Sequence, residues 1–502
     1  MNNNNYLKDV QRRRRLKYGS FAVAITAAVI ALVVAVNAIF TALAQKYMWY
    51  IDMTERDLYT PNESAMTLIE QFRGSENLDI TFTFCMPEDQ TVENEMVNMV
   101  SNLVKVYANE FDFISVEYVD IVNNPQILDK YQGTSLGKPK TTSVIVSNGN
   151  NALLFAIDTF FVSDDGNSSS IYAFRGDYVI ASAVLRLAGD SPIAYFVTNH
   201  GEEVEGTALR ELFIDAGYDV RNIDLQKEDP LPAAKVVVIN NPKYDFWGPK
   251  DTVNEIKKLQ ALLDNTAGLM VFMDETTNPT PNLDLFLEDW GVRFERSFIR
   301  DTDNCLAGTL GLEIVAQYVT EGTGASLTSA LREQSNPPKA IVSGCRPITL
   351  LYDDVTGKYF TDATRYASAV LTTSKTAVAK PLDDKDAEGV KGRYNVMTVT
   401  VDSRMKDNAS QRSYLLAAGT TAFTDAKYIE GTNYANRDII FNVMRQFAKR
   451  NVPMDIDPKI FANDTLSLTA AEANRWTVIC TVVLPAAIAG IGIYVYARRR
   501  YL

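Results

Sequence analysis

The feature that most constrains this chain is its first apolar run, Gly19 to Ala44, which no charged side chain interrupts. Its clearly polar members are Ser20, Thr26, Asn37 and Thr41. At ~1.5 Å of rise per residue such a run predicts a helix of roughly 39 Å, longer than the ~30 Å hydrocarbon core of a bilayer. Arg12, Arg13, Arg14, Arg15 and Lys17 stand before it; Tyr47, Trp49 and Tyr50 follow, the rings that suit a membrane interface. A second apolar run, Trp476 to Ala497, precedes Arg498, Arg499 and Arg500. Arginine clusters stay on the cytoplasmic side, so the expectation is a two-pass protein of the cell membrane with both termini inside and its main body extracytoplasmic. The alternative for the first run is a cleaved signal peptide with Ala42-Leu43-Ala44 as its cleavage site. An apolar h-region is normally only ~7–15 residues, which favours the retained anchor.

The body between these runs is acidic. The whole chain carries a net charge of -13, residues 1–20 carry +5 and residues 497–502 carry +3, leaving -21 for the rest. A surface of that sign does not seek nucleic acid or anionic lipid. A hydrophobic content of 46% with 22% charged residues marks a folded chain. Four cysteines are present: Cys480 lies in the second apolar run, and Cys85, Cys305 and Cys345 lie in the body. An odd number makes no disulfide framework, although it leaves room for a Cys305–Cys345 bridge. The single histidine, His200, rules out a multi-histidine metal site and restricts any Ser-His-Asp triad to itself. No metal or cofactor is expected.

Along the body, Thr60-Pro61-Asn62-Glu63 reads as a capping box with proline at the first helical position. A strand at 78–84, a helix at 93–110, a strand at 114–119, a short helix at 125–131 and a hairpin around Asn148-Gly149-Asn150 follow. This is the order of a thioredoxin-like α/β unit, assigned to residues 45–190. Cys85-Met86-Pro87-Glu88 falls where that fold keeps its redox pair, but Glu88 replaces the resolving thiol. After a helix at 177–188, strands at 193–198, 220–225, 236–240 and 269–273 alternate with helices. Near-continuous apolar strands between helices predict a parallel sheet covered on both faces, assigned to residues 191–465. Beyond Asp301 the expected strands are 340–342, 366–372, 394–401 and 414–418, before an amphipathic helix at 438–450 and a tether over 466–475. The membrane helices are placed at 19–44 and 476–497, and the basic tails at 1–18 and 498–502.

Gly133-Thr134-Ser135-Leu136-Gly137-Lys138-Pro139 imitates a phosphate loop but is one residue short between its glycines. It also puts Pro139 where a Mg²⁺-binding Ser or Thr belongs, so nucleotide hydrolysis is not expected. The best site candidate is Asn199-His200-Gly201-Glu202, at the C-terminal end of a strand and beside a helix N-terminus, where open α/β sheets bind ligands. The same residues also suit a plain turn: Gly201 for the reversal, Glu202 for the helix start. Asp274-Glu275 ends another strand of the same sheet, and no nucleophile elbow accompanies it.

Several stretches together resemble the GldG-like auxiliary subunits of ABC-type transport systems associated with bacterial gliding motility. They are Asp52-Met53-Thr54-Glu55 with Tyr59-Thr60, Ile193 to Thr198 leading into His200-Gly201-Glu202, Ala418-Gly419 through Phe423, Asn436-Arg437-Asp438 with Asn442, and Leu466-Ser467-Leu468-Thr469 before the last apolar run. Family members usually carry Gly where this chain has Asn199. The resemblance implies a thioredoxin-like unit followed by a glutamine-amidotransferase-like α/β domain without its catalytic residues. It also implies partnership with a separate permease and a cytoplasmic ATPase, with no enzymatic activity. The ligand or transported substrate is not implied. The alternatives are a membrane-anchored extracellular hydrolase using His200 with Glu202 or Asp274, and an envelope scaffold that binds wall polymers.

Overall fold

The computed structural model describes residues 25–39, 57–75, 78–131, 138–163, 171–189, 191–202, 204, 207–358, 364–384, 386–406, 409–430, 434–448, 452–454, 456–461 and 485. Its contacts divide the chain into a unit of residues 1–53 and 57–459 and a second of residues 54–56 and 460–502. The second is described only at 460–461 and 485.

The two-membrane-helix architecture is corrected first. Among the described residues no helix is long and apolar enough to cross a membrane. The helix over 25–39 has exposed side chains along its length. At ~1.5 Å per residue its described part spans roughly 22 Å, short of a ~30 Å hydrocarbon core. The second expected span lies outside the described residues except at Pro485, and Arg12–Arg15, Trp49, Trp476 and Arg498–Arg500 all lie outside them. The described chain is a mixed α/β structure with large sheets.

Its first part begins with helix α1 (Glu63–Glu70) and strand β1 (Ile80–Phe84), then helix α2 (Glu95–Glu110), β2 (Ile114–Tyr118), β3 (Val144–Ser147) and β4 (Ala152–Phe155). The sheet runs β2-β1-β3-β4, with β1 and β2 parallel and the other pairs antiparallel. The cap of α1 is Asn62, not Thr60: its side chain accepts from the amides of Ser64 and Ala65. Thr60 is engaged elsewhere, its amide on the Asp57 carbonyl and its own carbonyl on Lys459 Nζ. A hairpin of β5 (Phe161–Ser163) and β6 (Ile171–Phe174) leads into helix α3 (Gly176–Ala188). Asp177 ties these pieces together. Its carboxylate takes the Asn62 amide, the Tyr107 hydroxyl at 2.6 Å and the Lys459 ammonium at 3.0 Å.

The second part comprises β7 (Ile193–Val197), α4 (Ala208–Asp215), β8 (Asp219–Ile223), β9 (Ala234–Asn240), α5 (Glu255–Asp264), β10 (Gly268–Phe272) and α6 (Pro281–Asp289). Then come β11 (Val292–Phe294), β12 (Ser297–Arg300), β13 (Ile314–Tyr318), β14 (Ala340–Val342), β15 (Ile348–Leu350), β16 (Arg365–Thr372), β17 (Val378–Pro381) and β18 (Val390–Lys391). The long hairpin of β19 (Asn395–Lys406) and β20 (Ala409–Ala418) and helix α7 (Asn436–Ala448) follow. The large sheet has the order β14-β13-β16-β19-β20-β10-β9-β7-β8. The expected all-parallel sheet holds only from β8 to β20; from β20 outward every pairing is antiparallel. The cause is local: β19 and β20 are joined directly, so they must run opposite ways.

The pleat sends alternate side chains to opposite faces of this sheet. Tyr195, Val197, Val237, Ile239, Leu269, Val271, Leu415 and Ala417 form one core with Leu259, Leu262 and Leu263 of α5 and Leu283, Phe286 and Leu287 of α6. Trp290, fully buried, closes its end. On the opposite face Phe196 meets Phe213 edge-on and Tyr414 stacks on Phe447 of α7. Full burial of each such side chain is worth about 1.5–3 kcal/mol, so this two-sided seam is the main source of cohesion.

Candidate functional site

Strand β7 neighbours β8 on one side and β9 on the other, although the chain visits β8 before β9. The order therefore reverses between β7 and β9, and the crevice beyond their carboxyl ends is the usual ligand position of an open α/β sheet. Asn199, His200, Gly201 and Glu202 follow β7 at this end of the sheet, but Glu202 does not start a helix: α4 begins at Ala208, with Thr207 as its cap. What fills the crevice is the chain itself.

Asn199 has φ +83° and Gly201 φ +82°, both left-handed. These two residues reverse the backbone on either side of His200 and turn its ring inward. Asparagine tolerates that conformation and glycine prefers it, which explains why a glycine would be equally at home at Asn199. The His200 carbonyl accepts from the amides of Lys243 at 2.6 Å and Tyr244 at 3.0 Å. A side chain at Gly201 would meet Lys243 Cβ at 2.9 Å, so the loop from β9 closes directly over the turn.

The His200 ring is 1% exposed and stacks on Phe246, with centroids 3.8 Å apart. Its Nδ1 lies 3.2 Å from Glu202 Oε1 and its Nε2 lies 3.0 Å from Glu255 Oε2. Glu202 also accepts the His200 amide, and Glu255 accepts the Trp247 amide. Burial lowers the imidazole pKa, but the hydrogen bonds and charges of Glu202 and Glu255 outweigh it and hold the group up at about 9. The ring is therefore an imidazolium at neutral pH, donating from both nitrogens to buried carboxylates. It has no lone pair left to act as a base.

Glu255, absent from the sequence-level site, is the first residue of α5, whose cap is Asn254. Nothing in its sequence position announces a partner 55 residues away; an acid at a helix start is common and explains itself. Asp274 lies in a separate cluster. It accepts the amide and hydroxyl of Thr276, at 2.7 Å and 2.6 Å, and the hydroxyl of Thr421 at 2.5 Å. Its carboxylate holds a turn, and among the described residues no hydrogen bond links it to His200.

The thiols follow the same pattern. Cys85, Cys305 and Cys345 are all free, so the Cys305–Cys345 bridge does not form. Burial pushes the Cys85 thiol up to about 11. Cys345 is likewise driven upward, by burial and then by Glu275 and Asp274. Redox chemistry needs the opposite shift. The imitation phosphate loop lies outside the described residues over 133–137.

A second concave surface lies apart from this turn. A groove of about 1050 Å³ is lined by Gln317, Tyr318, Thr349, Asp353, Arg393 and Tyr394 among others, and by none of the residues singled out in the sequence.

No protein-family model matches this chain, and no curated protein matches it. Among solved structures it is similar to one titled "mmIFT52 N-terminal domain", at 11% identity, covering 52% of this chain and 99% of that one, with a TM-score of 0.37. A likeness that slight carries no argument about fold or function.

Proposed function

We propose that this chain is a non-catalytic auxiliary or substrate-engaging subunit of a bacterial ABC-type transport system, working at the outer face of the cell membrane beside a separate permease and a cytoplasmic ATPase. The observation that carries the non-catalytic part is the commitment of both His200 nitrogens to Glu202 and Glu255. The one imidazole in the chain is a strut, and Asp274 is spent on a turn. The open groove beside Arg393 and Tyr394 supports a body that presents surface to a partner. The transport assignment rests on the resemblance of the stretches from Asp52 to Thr469.

The experiment is purification of the tagged full chain in mild detergent. Co-recovery of a permease and an ATPase supports the proposal; recovery of neither overturns it. His200→Gln, checked for folding, should retain that association and the cellular phenotype of the parent. A folded variant that keeps its partners but loses the phenotype would turn the assignment toward the anchored hydrolase.

A further inference from the structure

A second cavity, of about 230 Å³, lies between α3, α4, the helical turn Ala426–Ile429 and the start of α7. Three polar groups face it with capacity unspent. Ser182 is 1% exposed, and its hydroxyl has no hydrogen-bond partner among the described residues. Arg175 donates from Nε to the Thr159 carbonyl at 2.7 Å, while its two terminal nitrogens make no hydrogen bond or ion pair among the described residues. Arg437, 8% exposed, is anchored by Asp438 and Asp457 and adds a second guanidinium. Both cations act on the Tyr178 hydroxyl, and Arg175 acts on Asp215, the carboxylate that accepts from Tyr178 at 3.0 Å.

The geometry points to a binding site for a small free α-amino acid. The open fork of Arg175 matches a carboxylate held through two parallel hydrogen bonds, and the Ser182 hydroxyl supplies a further donor. Glu211 and Glu430 line the same cavity and suit an ammonium. A bare anion would meet those two carboxylates and Asp215 with nothing to offer them; a zwitterion satisfies both signs. Val179 and Leu212 supply apolar lining for a short side chain. The volume is that of roughly eight liquid waters, which suits one small amino acid.

This site is distinct from the turn at His200 and does not depend on the proposed transport role. Its test is isothermal titration of the full chain with L-alanine, L-serine, acetate, methylamine and inorganic phosphate. An amino acid should bind saturably and at least tenfold more tightly than acetate, methylamine or phosphate. Arg175→Lys, which removes the fork and keeps the charge, should weaken that binding at least tenfold. Ser182→Leu should abolish it by filling the cavity. Thermal melting shows that each variant is folded, and Arg175→Lys serves where Ser182→Leu does not fold. Absence of saturable heat with either amino acid, phosphate binding as tight as alanine, or unchanged affinity in folded Arg175→Lys would each overturn the assignment.

Discussion

At the scale of the residue, His200 converts a turn into a pH-dependent brace. Its folded-state pKa of about 9 stands above the ordinary imidazole value of 6.5. A group raised on folding stabilises fully below its unfolded pKa and loses that contribution as pH rises through its folded pKa. The contribution is on the order of 3 kcal/mol, taking 1.36 kcal/mol per pKa unit. Wild-type melting temperature should therefore fall between pH 6.5 and pH 9.5, and His200→Gln should lack that part of the slope. Equal slopes in the two proteins would show that the imidazolium does not brace the turn. The turn itself was legible in the sequence, because Asn199 and Gly201 are residue types that adopt positive φ. The clamp was not, because Glu255 reaches it only through folding of α5 against β7.

At the scale of the element, the end of β20 shows how a backbone contact fixes a residue. The Gly419 amide donates to Val396 and its carbonyl accepts from Arg346. A Cβ there would sit 2.1 Å from the Arg346 carbonyl oxygen, a backbone atom with no room to retreat. Gly419→Ala should destabilise the protein by roughly 2–4 kcal/mol, within the range of overpacking and strain, measured as a lower denaturant midpoint. An unchanged midpoint would mean that β15 and β20 separate freely there. The long helices were legible from their period of 3.6, and the strands from β7 to β10 from their apolar runs between helices. Strands β12, β13, β15, β17 and β18 were not: they hold two to five residues each, too few for alternation to be counted. The cap of α1 was misplaced by two residues because Thr60 and Asn62 are both capping types; what distinguishes them is the Asn62 side chain, which accepts from the amides of Ser64 and Ala65.

At the scale of the whole molecule, the large sheet is one hydrogen-bonded object whose halves follow different rules. Strands β9, β10 and β20 are paired on both sides and covered on both faces, so their amides should exchange most slowly in a hydrogen–deuterium experiment. The β12-β17-β18 sheet, small and partly exposed, should exchange first. Slow exchange confined to β13 and β14 would contradict this ranking. The alternation of strands and helices made the parallel half legible. The antiparallel half escaped because the outer ends of β19 and β20, Asp402 to Ser413, are mostly polar and leave no apolar run to mark the hairpin.

The position of β20 also sets an order of events at the ribosome. The parallel strands β7 to β10 are synthesised well before it, yet β10 has no neighbour on its outer flank until residues 409–418 arrive. Until then the nascent chain carries an unpaired strand of Gly268 to Phe272, apolar on both sides and open to pairing with another chain. A ribosome stalled between β10 and β20 would release a product that aggregates through that flank, and a holdase would be needed for the whole interval.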